Sequence, residues 1–267
     1  MEKNSLSICP LESGSKGNSH LITNGTTNIL VDCGISARSL SERLSFYEKT
    51  ADELDAVLIT HEHSDHTKGA GVVSRKFELP VYATRGTWRA MYKNIKPVKE
   101  CFIKPISIGE TFKIGDILIT SFSISHDAAE PVGYTFSYND KKIAIATDTG
   151  IADERLINAI SGAKVALIEA NHDENMLLMG KYTQALKRRI KSDLGHLSNE
   201  AAGGLSLKLA KGGTKTILIG HLSEENNYPD LAYLTVKNII EEGGFKTGKD
   251  VELSVVTREF MKARFTA

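Results

Sequence analysis

A mixed α/β domain, with β-sheets inside and helices outside, is the fold class this sequence predicts. Three observations carry that expectation. Short runs rich in Ile, Val, Leu and Thr, bounded by turn residues, recur from Leu6 to Val256 and read as strands. Helical patterns with recognisable ends alternate with those runs in the later half. No Pro- or Ser-rich linker divides the 267 residues, so 1–267 is read as one domain.

In chain order, strands are expected at 6–8, 20–23, 28–32 ("NILVD"), 55–60 ("DAVLIT"), 80–83 and 116–124 ("DILITSFSI"). Others follow at 131–138, 141–147 ("KKIAIAT"), 164–169 ("KVALIE"), 215–220 ("KTILIG") and 252–256. "TNGTTN" and "SYNDKK" read as hairpin turns, because Asn, Asp and Gly tolerate the backbone angles such turns need. Helices are expected over 36–47, over 198–213 with Ser198 as N-cap and Gly212 as stop, and over 230–244. A further helix is expected to start at Ser64 or Asp65 and to run through "HTKGAGVVSRKF".

Composition narrows the function. The 33 basic and 33 acidic residues cancel, so contact with nucleic acid would need a local basic patch rather than a global field. Cys9, Cys33 and Cys101 show no paired spacing, which argues against a disulfide framework and suits a reducing compartment. No CxxC supplies a thiolate zinc site. The first residues lack the apolar core of a signal peptide, and no run approaches the ~18 apolar residues of a membrane span. A cytoplasmic protein is expected.

The chemistry concentrates at "THEHSDHTKG", which packs His61, His63, Asp65 and His66 into six residues after an apolar run. If extension persists briefly, His61 and His63 point the same way and can grip one ion. The turn that follows sends Asp65 and His66 toward a neighbouring position. Three more β-runs each deliver a metal-capable residue at their C-terminal end: His126, Asp148 and His221. Ligands gather at that edge in sheet-based α/β folds. Seven candidates are too many for one tetrahedral ion, whereas two ions ~3.5–4 Å apart, bridged by Asp148, would use all seven. Nitrogen and oxygen ligands suit zinc, manganese or iron. A zincin site is excluded, because it needs His-Glu-x-x-His on a helix and position 65 is Asp. His20, in "NSHLIT", is read as structural.

Other residues bear on a substrate. "QALKRRIKSD" puts Lys187, Arg188, Arg189 and Lys191 within five positions, between His172 and His196. Such a run is commonly a solvated helix face, but this placement favours contact with phosphates. "SGSKGN", with Ser15, Lys16 and Asn18, could offer backbone N–H groups and a cation to an anion, or be a plain tight turn. His196 is the candidate general acid or phosphate clamp. His172 is a second candidate, with Asp173 available to orient an imidazole. Trp88 and Tyr92 could stack on a base, though core burial is the commoner role.

At these residues the sequence resembles the metallo-β-lactamase superfamily. "HEHSDH" matches its HxHxDH signature, and His126, Asp148 and His221 match the later single-residue motifs in order. The resemblance implies an αββα sandwich, two mixed β-sheets flanked by helices, with a dinuclear site at one edge. It assigns His61, His63, His126 and Asp148 to one metal, and Asp65, His66, Asp148 and His221 to the other. "SGSKGNS", "EANHDENML", "SDLGHLSNEAAG" and "GHLSEENN" further resemble the YycJ/WalJ group. That likeness implies a DNA-directed, metal-dependent exonuclease with a link to two-component signalling. The 72 residues between Asp148 and His221 leave no room for the inserted domain of larger nucleases. His63 stands where diiron oxygen reductases carry Glu, which disfavours redox chemistry. A small-molecule hydrolase of the same fold, acting on a thioester, lactone or cyclic nucleotide, is the alternative. A metal-loaded, non-catalytic signalling partner is another.

Overall fold

The structure, a computed structural model, describes residues 5–259 and 262–267. Among the described residues, two seven-stranded sheets lie face to face, each covered outside by helices. The first half of the chain runs β1 (Ser7–Glu12), β2 (Ser19–Thr23), β3 (Asn28–Val31), α1 (Ala37–Ser45), β4 (Ala56–Leu58), α2 (Ser64–Thr67), α3 (Ala70–Phe77), β5 (Val81–Thr84), α4 (Arg85–Met91) and β6 (Ile103–Ile106). The second half runs β7 (Thr111–Ile114), β8 (Ile117–Ser123), β9 (Val132–Tyr138), β10 (Lys141–Ala146), α5 (Glu154–Ile160), β11 (Val165–Glu169), α6 (Glu174–Met179), α7 (Gln184–Ile190), α8 (Asn199–Lys211), β12 (Thr216–Gly220), α9 (Pro229–Glu242), β13 (Glu252–Val255) and β14 (Phe265–Thr266). The sheet orders are β14-β1-β2-β3-β4-β5-β6 and β13-β12-β11-β10-β9-β8-β7.

Each half repeats one plan. Antiparallel hairpins come first, as β1-β2-β3 and β7-β8-β9-β10. Parallel strands joined through helices follow, as β3-β4-β5-β6 and β10-β11-β12-β13. Parallel strands need covering on both faces, and their residues divide accordingly. Val165 and Leu167 of β11 enter the core between the sheets, while Ala166 and Ile168 face the layer shared with α5, α8 and α9. Ala56, Leu58 and Val57 of β4 divide the same way between the inter-sheet core and the layer beneath α1, α3 and α4. Tyr134 ties the two sheets together, donating its buried hydroxyl to the Ile59 carbonyl at 2.8 Å.

Most element ends match the sequence reading. Ser36 caps α1 and Ser198 caps α8, each accepting the N–H three residues on, and α8 stops at Gly212. Both hairpin turns form, with Gly25 at φ +96° and Asn139 at φ +54°. The helix expected from Ser64 through Phe77 is interrupted. The Gly69 N–H turns to the Cys33 carbonyl, and a Cβ on Gly69 would lie 2.0 Å from the Ile35 carbonyl oxygen. Strands β6, β7 and β14 were not expected. All three sit at or near sheet edges, and exposed residues interrupt their apolar pattern. No helix among the described residues is long and apolar enough to cross a membrane.

Gly34 shows how tightly this frame holds the HxHxDH segment. A Cβ there would lie 1.6 Å from the Asp65 carbonyl oxygen, which itself accepts the Asn18 N–H at 2.8 Å. Gly34→Ala is expected to push the 64–66 turn outward and to lower stability by about 1–3 kcal/mol. Urea unfolding of the metal-free variant checks this, and an unchanged midpoint would show that the turn is not clamped.

Candidate metal centre

The site forms where strands of both sheets end. β3 and β4 run parallel in one sheet, and β10, β11 and β12 run parallel in the other. β8 shares the β10 direction, because β9 lies antiparallel to both. The C-terminal ends of these strands therefore meet along one edge. Asp32, the 61–66 turn, His126, Asp148, Glu169 and His221 all follow or close those strands.

All seven expected ligands come together there. His63 Nδ1 lies 3.0 Å from His61 Nε2 and 3.3 Å from His126 Nε2. Asp65 Oδ2 lies 3.3 Å from His66 Nε2 and 3.5 Å from His221 Nε2. Asp148 sits between the two groups. Its Oδ1 is 3.2 Å from His221 Nε2 and 3.9 Å from His126 Nε2, and its Oδ2 is 3.3 Å from His66 Nε2. Among the described residues, every group of three or more His, Cys, Asp or Glu with ligand atoms within 4.8 Å of one another falls in this cluster. Asp148 Oδ2 is buried without a hydrogen bond. A buried carboxylate oxygen in that state needs a cation or a bound water. The donor set thus fits divalent cations.

The outer nitrogens of the imidazoles are fixed. His66 Nδ1 meets Asp32 Oδ2 at 2.8 Å, and Asp32 in turn accepts the Thr60 N–H and hydroxyl. His221 Nδ1 lies 3.4 Å from Glu169 Oε2, and His126 Nδ1 meets the Gly195 carbonyl at 3.1 Å. Such contacts set the tautomer and leave Nε2 for a cation. Asp32 and Glu169 were not singled out in the sequence. The signal was present: "NILVD" and "KVALIE" also end in a carboxylate at a strand terminus, so the positional rule that found Asp148 applies to both.

Charge in the cluster is unevenly held. Burial pushes the His61 pKa well below the ordinary imidazole value, and the neighbouring His66, His126 and His63 add to the effect. Burial also opposes the charged form of His66, but Asp148, Asp65 and Asp32 together outweigh it and lift the pKa well above that value. His221 is lifted to about 10 against the same opposition, by Asp148, Asp65 and Glu169.

His196 joins the cluster. Its Nδ1 lies 3.1 Å from Glu169 Oε2, and its ring stacks near His221 with centroids 5.4 Å apart. His172 stands apart from the ligand groups. It is buried, its Nδ1 has no hydrogen bond, and burial pushes its pKa down to about 4. Asp173 does not orient it, because that carboxylate caps α6 by accepting the Met176 N–H at 2.8 Å.

The residues expected to meet substrate are divided. Lys187 is buried and donates to the Leu178 carbonyl at 2.6 Å, so its charge holds α6 to α7 and is not offered to a phosphate. Arg189 makes a two-pronged bond to Asp127, beside His126. Lys191 lies 3.5 Å from Glu174, and Arg188 is exposed. Ser15 and Lys16 form an exposed turn tip, with Lys16 paired to Glu224. Asn18 lies inside: its amide bonds Gly14 and Asp65 and lies 3.0 Å from His66 Nε2. Trp88 is buried in the core beneath the first sheet's helices, whereas Tyr92 is exposed. His20 is buried in β2.

Two outcomes follow. Asp32→Asn removes the carboxylate that fixes His66 and is expected to weaken cation binding about 10–100-fold, read by competition with a chelating dye. At pH 7.5 the metal-free protein holds the second proton on His221, whose pKa is lifted to about 10, and the carboxylates around His66 push that imidazole in the same direction. The His221 proton must leave before its Nε2 can bind a cation. Cation binding should therefore release protons at pH 7.5, and the His221 contribution should vanish above about pH 10. Calorimetry in two buffers of different ionisation enthalpy measures the release, and its absence at pH 7.5 would refute the charge assignment.

Comparison with known proteins places this geometry. The β-lactamase superfamily domain matches residues 27–221. Exodeoxyribonuclease YycJ of Bacillus anthracis is 42% identical over 245 residues, covering 91% of this chain and 92% of its own. Exodeoxyribonuclease WalJ of Streptococcus pneumoniae is 41% identical over 91% of both chains. The crystal structure of YhfI, a metallo-β-lactamase fold protein from Bacillus subtilis, aligns with a TM-score of 0.71 at 16% identity, over 99% of this chain and 100% of its own. At that identity the likeness speaks to the fold alone. A family domain that spans β3 to His221, and relatives alike over nine-tenths of the chain, agree with the cluster at the strand ends: this chain belongs to the β-lactamase superfamily, in the group of the YycJ and WalJ exodeoxyribonucleases.

Proposed function

We propose that the protein is a metal-dependent DNA exonuclease working with two divalent cations, zinc or manganese with iron as the alternative. His61, His63, His126 and Asp148 would hold one, and Asp65, His66, Asp148 and His221 the other. The observation that carries the reading is the convergence of two histidine groups on the two oxygens of Asp148. DNA as substrate is supported by the names of the YycJ and WalJ relatives. A cytoplasmic setting suits that substrate and the three unpaired cysteines.

A phosphodiester resists attack because its own oxygens are negative. Bound divalent cations supply compensating charge and bring the pKa of water toward ~7. Asp65, partly exposed at the mouth, orients the attacking water by accepting its hydrogen bond. His196 gives a proton to the leaving alkoxide from Nε2, while Glu169 holds Nδ1. Arg188, Arg189 and Lys191 draw the flanking phosphates toward the mouth.

The test is digestion of end-labelled single- and double-stranded DNA and RNA by metal-reconstituted protein. Nucleotides are expected to leave DNA from an end, with RNA degraded far more slowly. Turnover confined to small esters or thioesters would overturn the reading. His196→Ala is expected to lower kcat about 10²–10⁴-fold while the metal content per chain is kept.

A further inference from the structure

An open cleft of about 380 Å³ adjoins the cation cluster, within the roughly 300–1,000 Å³ range of small-ligand sites. It shares backbone with the Asp65–His66–His221 half of that cluster. Ser13, on its wall, accepts the His221 N–H at 2.9 Å. Leu222, another wall residue, directly follows His221. Gly14 is bonded through both its N–H and its carbonyl to Asn18, which touches Asp65 and His66. A ligand in this cleft would lie beside the reacting centre.

The lining is of two kinds. Tyr228, 52% exposed, and Pro229 give a flat apolar surface where α9 begins. Arg258 and Glu224 supply charge, and Lys16 reaches Glu224 from the 14–17 turn. Lys16 Nζ and Arg258 Nη1 each lie 2.5 Å from one of the two Glu224 oxygens. Glu259 also lines the cleft, so the four charged side chains balance, and the two cations are offered by exchange from Glu224 rather than by net charge. Exposed ion pairs of this kind are weak, so a phosphate can compete for either cation, and a guanidinium binds phosphate with good geometry. An exposed aromatic face beside two exchangeable cations matches a nucleotide: a π surface for the base and positive charge for the phosphate.

We infer that this cleft seats the nucleotide next to the phosphodiester being cleaved, with its base stacked on Tyr228 and its outer phosphate drawn by Arg258 and Lys16. The inference rests on the nuclease reading above and adds to it the grip on the strand. Stacking tolerates every base, because each has a π face, so such a subsite suits an enzyme that degrades DNA without regard to sequence.

The test pairs two measurements on the metal-loaded full-length protein. One is equilibrium binding of a fluorescent oligonucleotide with hydrolysis-resistant phosphorothioate linkages. The other is turnover of the ordinary oligonucleotide. Tyr228→Ala is expected to weaken binding and raise KM by about tenfold. Tyr228→Phe should restore both to within about twofold, since the ring and not the hydroxyl stacks. Glu224→Gln should tighten binding and steepen its salt dependence, because both cations are released. If the wild type degrades DNA and Tyr228→Ala matches it in affinity and KM, the subsite is overturned and the nuclease reading stands. Equal loss in Tyr228→Ala and Tyr228→Phe overturns stacking as the role of this residue. If the wild type neither binds nor degrades DNA, the nuclease reading falls and the subsite falls with it.

Discussion

The site depends on how buried negative charge is balanced. Asp32, Asp148 and Glu169 are at most 2% exposed, and an unpaired carboxylate at such a position costs several kcal/mol. Two histidines act as go-betweens. His66 lies between Asp32 and Asp148, and His221 lies between Glu169 and Asp148. Each turns Nδ1 to an outer carboxylate and Nε2 to the centre. The outer contacts leave Nε2 of both rings facing the centre. The imidazole rings are therefore held in a ligating orientation before any cation arrives, which is the preorganisation that a catalytic metal site requires.

That arrangement explains what was legible in the sequence. His61, His63, Asp65 and His66 stand out because one turn supplies four ligating side chains within six residues. His126, Asp148 and His221 became legible only through position, each after an apolar run. Asp32 and Glu169 satisfy the same rule, but in sequence a lone carboxylate after a strand looks like any solvated loop acid. What separates them from such acids is burial, which arises only when the second sheet closes over the first. The edge strands β6, β7 and β14 were illegible for a related reason: strands at a sheet's margin need less apolar cover, so their pattern fades into that of loops.

The basic run teaches a different lesson about neighbours in sequence. Lys187, Arg188, Arg189 and Lys191 are close along the chain, but a helix turns successive side chains by about 100°. Lys187 consequently turns inward to the Leu178 carbonyl, Arg189 reaches Asp127 beside the cluster, and Arg188 faces solvent. One stretch of charge is divided among three tasks. Charge contiguous in space arises instead from distant residues: Lys16 and Arg258 meet at Glu224 although most of the chain separates them. Reading a surface patch from the run counts Lys187, which is buried, and misses Lys16 and Arg258.

The backbone records the same priorities. Seven non-glycine residues adopt positive φ among the described residues. Glu48, Glu78, Lys96 and Asn139 are exposed, at turns and helix ends where the strain costs little. The other three are Asp32, Asp148 and His221, at φ 57°, 57° and 53°, all buried and all just past a strand end. A left-handed conformation costs an ordinary residue roughly 1–2 kcal/mol, and glycine would relieve it. Glycine would also remove a carboxylate or an imidazole from the cluster. The sharp reversal after β3, β10 and β12 lets a side chain at the strand tip fold back over the shared edge. Without it, parallel strands would carry those three side chains away from one another. Strain is kept at the positions where the side chain is indispensable, so these three backbone angles mark the site independently of its chemistry.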